Sequence, residues 1–153
     1  MSDRAKRVLL IAVPLVAFVA IFWINLSKYM GLYDELIGVA LLATAAITLP
    51  AQLGNEKARF GVLMGLSVGL SAAALLLFFL FKPAVSTKQA AALLLEDGYT
   101  EIGIAEGDRT YSLDDGNFFV DKGYQYQCTT EDGKTVVVRV HPHSGERTVV
   151  TSK

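Results

Sequence analysis

One cysteine, Cys128, is all the chain offers, so no disulfide can close within it and no cysteine-based metal cluster is available. An outer domain built from this sequence has to take its stability from a packed core. Runs of Lys or Arg are also missing: 14 basic residues against 15 acidic ones are scattered, leaving no footprint for nucleic acid. No phosphate-cradling glycine loop, Ser-His-Asp set or Cys-His set is present, so neither an enzyme nor a cofactor site is expected. Most telling is the lack of charge over three stretches, residues 8–27, 36–53 and 60–81.

The last of these is bracketed by Lys57 and Arg59 before it and Lys82 after it. At about 1.5 Å per residue it covers a bilayer core of roughly 30 Å, which predicts a membrane-spanning helix. Gly61, Gly65, Gly69 and Ala73 recur every fourth residue, a stripe of small side chains that lets another helix approach closely. The first run follows Arg4, Lys6 and Arg7. It is too long for the apolar part of a signal peptide and has no small-x-small cleavage site after Trp23, so it reads as a retained span interrupted by Pro14. The middle run is rich in small residues (Gly38, Ala40, Ala43, Ala45, Ala46) and ends at Pro50 and Gly54. Short loops between the three predict an up-down-up membrane domain over residues 1–83. Arg4, Lys6, Arg7, Lys57 and Arg59 lie on one side against Lys28, Lys82 and Lys88 on the other, which predicts a cytoplasmic N-terminus and an extracytoplasmic C-terminal domain in a cell membrane. Within the spans the polar side chains are mainly Asn25, Thr44, Thr48, Ser67 and Ser71; without ionisable groups, transport through these helices alone is not expected.

Beyond Pro83 the composition changes to seven basic and eleven acidic residues. Only residues 82–85 separate the last span from a helix start, a reach of roughly 14 Å at most, so the domain must sit close to the 28–35 loop. Ser86 and Gln89 form a capping box, Ala90, Ala91, Leu94 and Leu95 an apolar stripe, and Gly98 a left-handed stop. Thereafter the period becomes two, predicting strands near 99–105, 110–113, 117–120, 124–130, 134–141 and 147–151. At Glu131-Asp132-Gly133 a two-residue loop would mix faces. A three-residue loop with Gly133 left-handed pairs Thr130 with Lys134 and gathers Tyr124, Tyr126, Cys128, Val136, Val138 and Val140 on one side.

The run from Tyr124 to Glu146, with its Tyr-rich strand, Asp-Gly turn, valine strand and Ser-Gly-Glu turn, resembles the closing hairpins of PepSY domains; the Ala-rich helix from Ser86 to Asp97 looks like the helix that opens that module. The resemblance covers about residues 86–150. It implies an α+β domain over 86–153, one helix on an antiparallel sheet, that binds or regulates other proteins, peptidases among them. It carries over no catalytic residue.

Three features are weighed for chemistry. His141 and His143 share a face but lack a third ligand. Asp114, Asp115, Asn117 and Asp121 match no calcium loop and read as a solvated acidic turn. Cys128 alternates with two tyrosines and reads as a small buried hydrophobe. The expectation is thus a non-catalytic accessory or regulatory subunit of a membrane assembly. Its partners are the lipid bilayer and an integral-membrane protein or a second copy, met at Gly61, Gly65, Gly69 and Ala73 unless that stripe packs internally. A membrane-tethered regulator of a peptidase is the alternative.

Overall fold

The computed structural model describes residues 3–34, 38, 40, 41, 43, 60–105 and 109–150. Among them are the helices α1 (Asp3–Tyr29), α2 (Phe60–Phe81) and α3 (Thr87–Glu96). Five strands follow: β1 (Thr100–Ile104), β2 (Thr110–Asn117), β3 (Val120–Thr129), β4 (Thr135–Val140) and β5 (Arg147–Val150). Two stretches, Ile11–Tyr29 of α1 and Gly61–Phe81 of α2, are long and apolar enough to cross a membrane. The predicted span over 36–53 lies outside the described residues except for Gly38, Ala40, Leu41 and Ala43, which are helical. The chain divides into two compact units, Met1–Ile24 with Glu35–Phe81, and Asn25–Asp34 with Lys82–Lys153.

In the first unit each long helix buries a narrow seam. Helix α1 buries Pro14, Ala17 and Ile21, and α2 buries Ser67, Ser71, Ala74 and Phe78, a spacing of four, three and four that keeps one stripe inward. The Ser71 hydroxyl donates to the Ser67 carbonyl at 2.7 Å, which satisfies it without a partner from another helix. Away from the seams the surface is apolar: Val16, Val19 and Phe22 of α1 and Val62, Leu66 and Leu80 of α2 are all exposed. Helices greasy on their outer side as well as their inner side suit a lipid surrounding. At Gly38 a Cβ would come within 2.8 Å of the Phe18 ring.

In the second unit β3 is the strand on which the sheet is built. The order is β1-β3-β4-β5, all antiparallel, and β2 pairs with the same edge of β3 as β1 does, further toward its start. Along β3 and β4 the register sets Tyr124 opposite Val140, Tyr126 opposite Val138 and Cys128 opposite Val136. The Thr130 N–H donates to the Lys134 carbonyl at 2.9 Å and Gly133 has φ +74°, as the three-residue loop requires. Tyr124, Tyr126, Cys128, Val138 and Val140 are buried together with Ala90 and Leu94 of α3. The other face is partly covered by a local stack in which the Arg139 guanidinium stands over the Tyr111 ring at 4.9 Å and donates to Gln125.

Helix α3 begins with the expected capping box at Ser86 and Gln89, and it ends at Gly98 with φ +87°. Its buried stripe is narrower than the sequence suggests. Leu95 is 61% exposed, because it points some 120° away from the Ala90–Leu94 line at about 100° per residue. The strand expected at 117–120 is instead a hairpin turn. Asn117 Oδ1 accepts from the N–H groups of Phe119 and Val120, both at 2.9 Å, and this side-chain mimic of a turn ends β2 and starts β3.

Because a Cβ at Gly133 would meet nothing within 4 Å, replacing this glycine tests backbone conformation alone. Gly133→Ala should lower unfolding stability by about 1 kcal/mol, read from a denaturation midpoint in detergent. An unchanged midpoint would mean that the turn does not depend on its left-handed residue.

Candidate functional site

In the second unit, several long-range polar contacts gather around residues 25–34, the 82–85 linker and the sheet. The chain leaves α1 through two left-handed residues, Met30 (φ 54°) and Gly31 (φ 77°). The Gly31 N–H donates to the Asn25 carbonyl at 3.1 Å and the Leu32 N–H to the Tyr29 carbonyl at 3.0 Å, which turns the chain back beside the helix. There Asn25 receives it. Its Nδ2 donates to the Tyr33 carbonyl at 2.9 Å, and its Oδ1 accepts from the Tyr33 N–H at 3.0 Å. Asn25 is only 5% exposed, and a buried amide is tolerated because both of its ends are paired.

Tyr33 and Asp34 then meet the β2–β3 hairpin. The Tyr33 ring stacks on Phe119 with centroids 5.7 Å apart and planes 7° from parallel, while the Asp34 N–H donates to the Phe119 carbonyl at 2.7 Å. Just past the end of α2, Lys82 Nζ donates to the Tyr29 hydroxyl at 3.3 Å and stands over the same ring. Thr87, the first residue of α3, donates from its hydroxyl to the Lys28 carbonyl at 3.3 Å. The short linker is pinned from the sheet as well: Val85 N–H donates to the Pro142 carbonyl at 2.9 Å. The Tyr124 hydroxyl donates to the Val85 carbonyl at 2.7 Å, and the Tyr126 hydroxyl to the Thr87 carbonyl at 3.1 Å. Burial pushes the Tyr126 phenol up to about 12 and raises that of Tyr124 too, so both remain neutral donors at physiological pH. Burial, with the Asp34 carboxylate adding to it, likewise pushes Tyr33 up to about 12.

Within the second unit these bonds join the last turn of α1, the first loop, the linker and the sheet. The short linker and the neighbourhood of the 28–35 loop are readable in the sequence. The roles of Asn25, Tyr33 and Phe119 are not, since each depends on a partner far along the chain. Asn25 alone gave a signal, as an amide inside an apolar run.

The other sequence candidates fall elsewhere. Gly61, Gly65, Gly69 and Ala73 are all exposed, and a Cβ at each glycine would meet nothing within 4 Å among the described residues. At about 100° per residue their stripe lies roughly opposite the buried Ser67–Ser71–Ala74–Phe78 seam. His141 and His143 come together, with rings 6.1 Å apart, but as part of a turn: His141 Nδ1 accepts from the N–H groups of His143 and Ser144, both at 3.2 Å, and Nε2 meets Asp115 Oδ1 at 3.1 Å. The hydrogen bond to His141 holds the Asp115 carboxyl below its ordinary range, and burial lowers His143. Among the described residues no group of three or more His, Cys, Asp or Glu is placed to hold a metal. Asp114, Asp115, Asn117 and Asp121 are exposed around the hairpin, and Cys128 is fully buried with its thiol raised by desolvation.

No protein-family model, no curated protein and no solved structure matches the chain.

Replacing Asn25 by Ala would strand the Tyr33 N–H and carbonyl at a buried position. Two hydrogen bonds of ordinary net worth put the loss at about 2 kcal/mol, measurable as a lowered unfolding midpoint. A variant as stable as the parent would show that the loop does not need this amide.

Proposed function

We propose that the protein is a non-catalytic accessory or regulatory subunit of a larger membrane assembly, which crosses the bilayer three times and holds a small outer domain rigidly on the membrane surface. The observation that carries this reading is the set of bonds joining Tyr29 to Lys82 and Lys28 to Thr87: the C-terminal ends of both apolar helices meet at one locus. Two spans that end on the same side both run toward it, which favours a return of the chain across the bilayer between them. The uncharged run 36–53, with helical residues at Gly38, Ala40, Leu41 and Ala43, is the segment available for that return. The basic residues Arg4, Lys6, Arg7, Lys57 and Arg59 favour a cytoplasmic N-terminus, which makes the sheet domain extracytoplasmic.

An accessory role is supported by what the clamp does mechanically. Within the second unit it ties the last turn of α1, the first loop, the linker and the sheet together. A contact for another membrane protein is supported by the glycine stripe, whose open face lies away from the buried seam and would admit a second helix closely. The reading as a peptidase regulator keeps the support of the PepSY-like hairpins and turn alone.

Co-purification in mild detergent tests the proposal. A stoichiometric integral-membrane partner, or a stable homo-oligomer, is expected with the native sequence. It should be lost in Gly65→Leu or Gly69→Leu, while insertion and the outer domain's fold are kept, since Leu improves the hydropathy of the helix. Retention of every partner together with a fall in protein abundance would place the stripe in internal packing instead. A secreted peptidase as the sole partner would favour the second reading.

A further inference from the structure

The tip of the β2–β3 hairpin carries two phenylalanines that are treated differently. Phe119 is held by Tyr33 and Asp34, whereas Phe118 is 69% exposed and touches Phe119 only edge-on, at 5.3 Å between centroids. A phenyl ring displayed at a two-residue tip forfeits the gain of burying it unless something covers it. The position of the tip says what does. Tyr33 is bonded through its backbone to Asn25, and Asn25 lies four residues before the end of the apolar stretch Ile11–Tyr29. At about 1.5 Å per residue, Tyr33 is therefore level with a point roughly 6 Å short of that end. Phe119 is stacked on Tyr33, and Phe118 is its neighbour. This depth falls in the layer several Å thick between hydrocarbon core and water, where aromatic rings settle. Lys28 and Lys82 mark the same end of the helices, with the headgroup-seeking charge such a layer requires.

We propose that Phe118 inserts into the interfacial layer of the bilayer, so that the hairpin tip is a third membrane anchor beside the ends of α1 and α2. The inference rests on the membrane reading above. Its occupant is lipid: the acyl chain–headgroup boundary takes an exposed phenyl without needing a shaped pocket.

The test uses the full-length protein purified into lipid nanodiscs. Phe118→Trp is made in a Trp23→Phe background, so that the introduced indole is the sole fluorophore of its kind. Emission is compared in lipids brominated high on the acyl chain and in lipids brominated near its end. Insertion predicts a blue-shifted emission, quenched more by the shallow bromines than by the deep ones. Emission typical of water and unaffected by either lipid overturns the proposal. A blue shift without quenching by either lipid also overturns it, in favour of a protein surface covering the ring. The native Trp23, measured in the unaltered protein, separates the two levels of failure. Trp23 is 69% exposed on α1 and should be quenched if that helix spans the bilayer. Quenching of Trp23 without quenching at position 118 removes only the anchor; quenching at neither position removes the membrane reading with it.

Discussion

A carboxamide buried in an apolar helix has to find both a donor and an acceptor, and Asn25 finds them on one residue. The Tyr33 N–H and carbonyl lie within hydrogen-bonding distance of its two ends, so the loop after α1 is drawn back along the helix. An unpaired amide in such a place would cost several kcal/mol in a surrounding without water. That cost is what makes the pairing obligatory. The folded-back loop then presents Tyr33 and Asp34 to the hairpin and leaves the Tyr29 hydroxyl for Lys82.

Within the second unit, the sheet is fastened to the last turn of α1, the first loop and the linker by several bonds distributed along the chain. The tyrosines of β3 reach the linker, α3 starts against Lys28, and the hairpin tip packs on the first loop. Each bond is individually modest, on the order of 1 kcal/mol. Together they hold the first loop and the linker against the sheet. A domain of this size, without disulfides, gains order from that attachment as well as from its own core.

How much of this can be read from the residues depends on the range of the interaction. The capping box at Ser86, the left-handed Gly98 and the three-residue loop at Gly133 are decided within a few residues, and the structure has all three. The β3–β4 register follows from the need to gather valines and tyrosines on one face, again a local pattern. The expected strand at 117–120 fails because the Asn117 side chain competes with the ladder for the N–H groups of Phe119 and Val120. Leu95 faces out because it lies some 120° around α3 from the buried Ala90–Leu94 line. The glycine stripe is visible as a pattern, but which side of α2 it occupies relative to the buried seam depends on packing with other segments. The clamp is the least visible part, since its bonds join residues eight to eighty-five positions apart.

The central claim, that the loop after α1 is bonded into the outer domain rather than free above it, can be tested by amide hydrogen exchange on the intact protein in a lipid or detergent environment. The Tyr33 amide is bonded to Asn25 Oδ1 and the Asp34 amide to the Phe119 carbonyl, so both should be protected to the same degree as the paired amides of β3 and β4. Rapid exchange at Tyr33 and Asp34 while β3 and β4 stay protected would contradict the account.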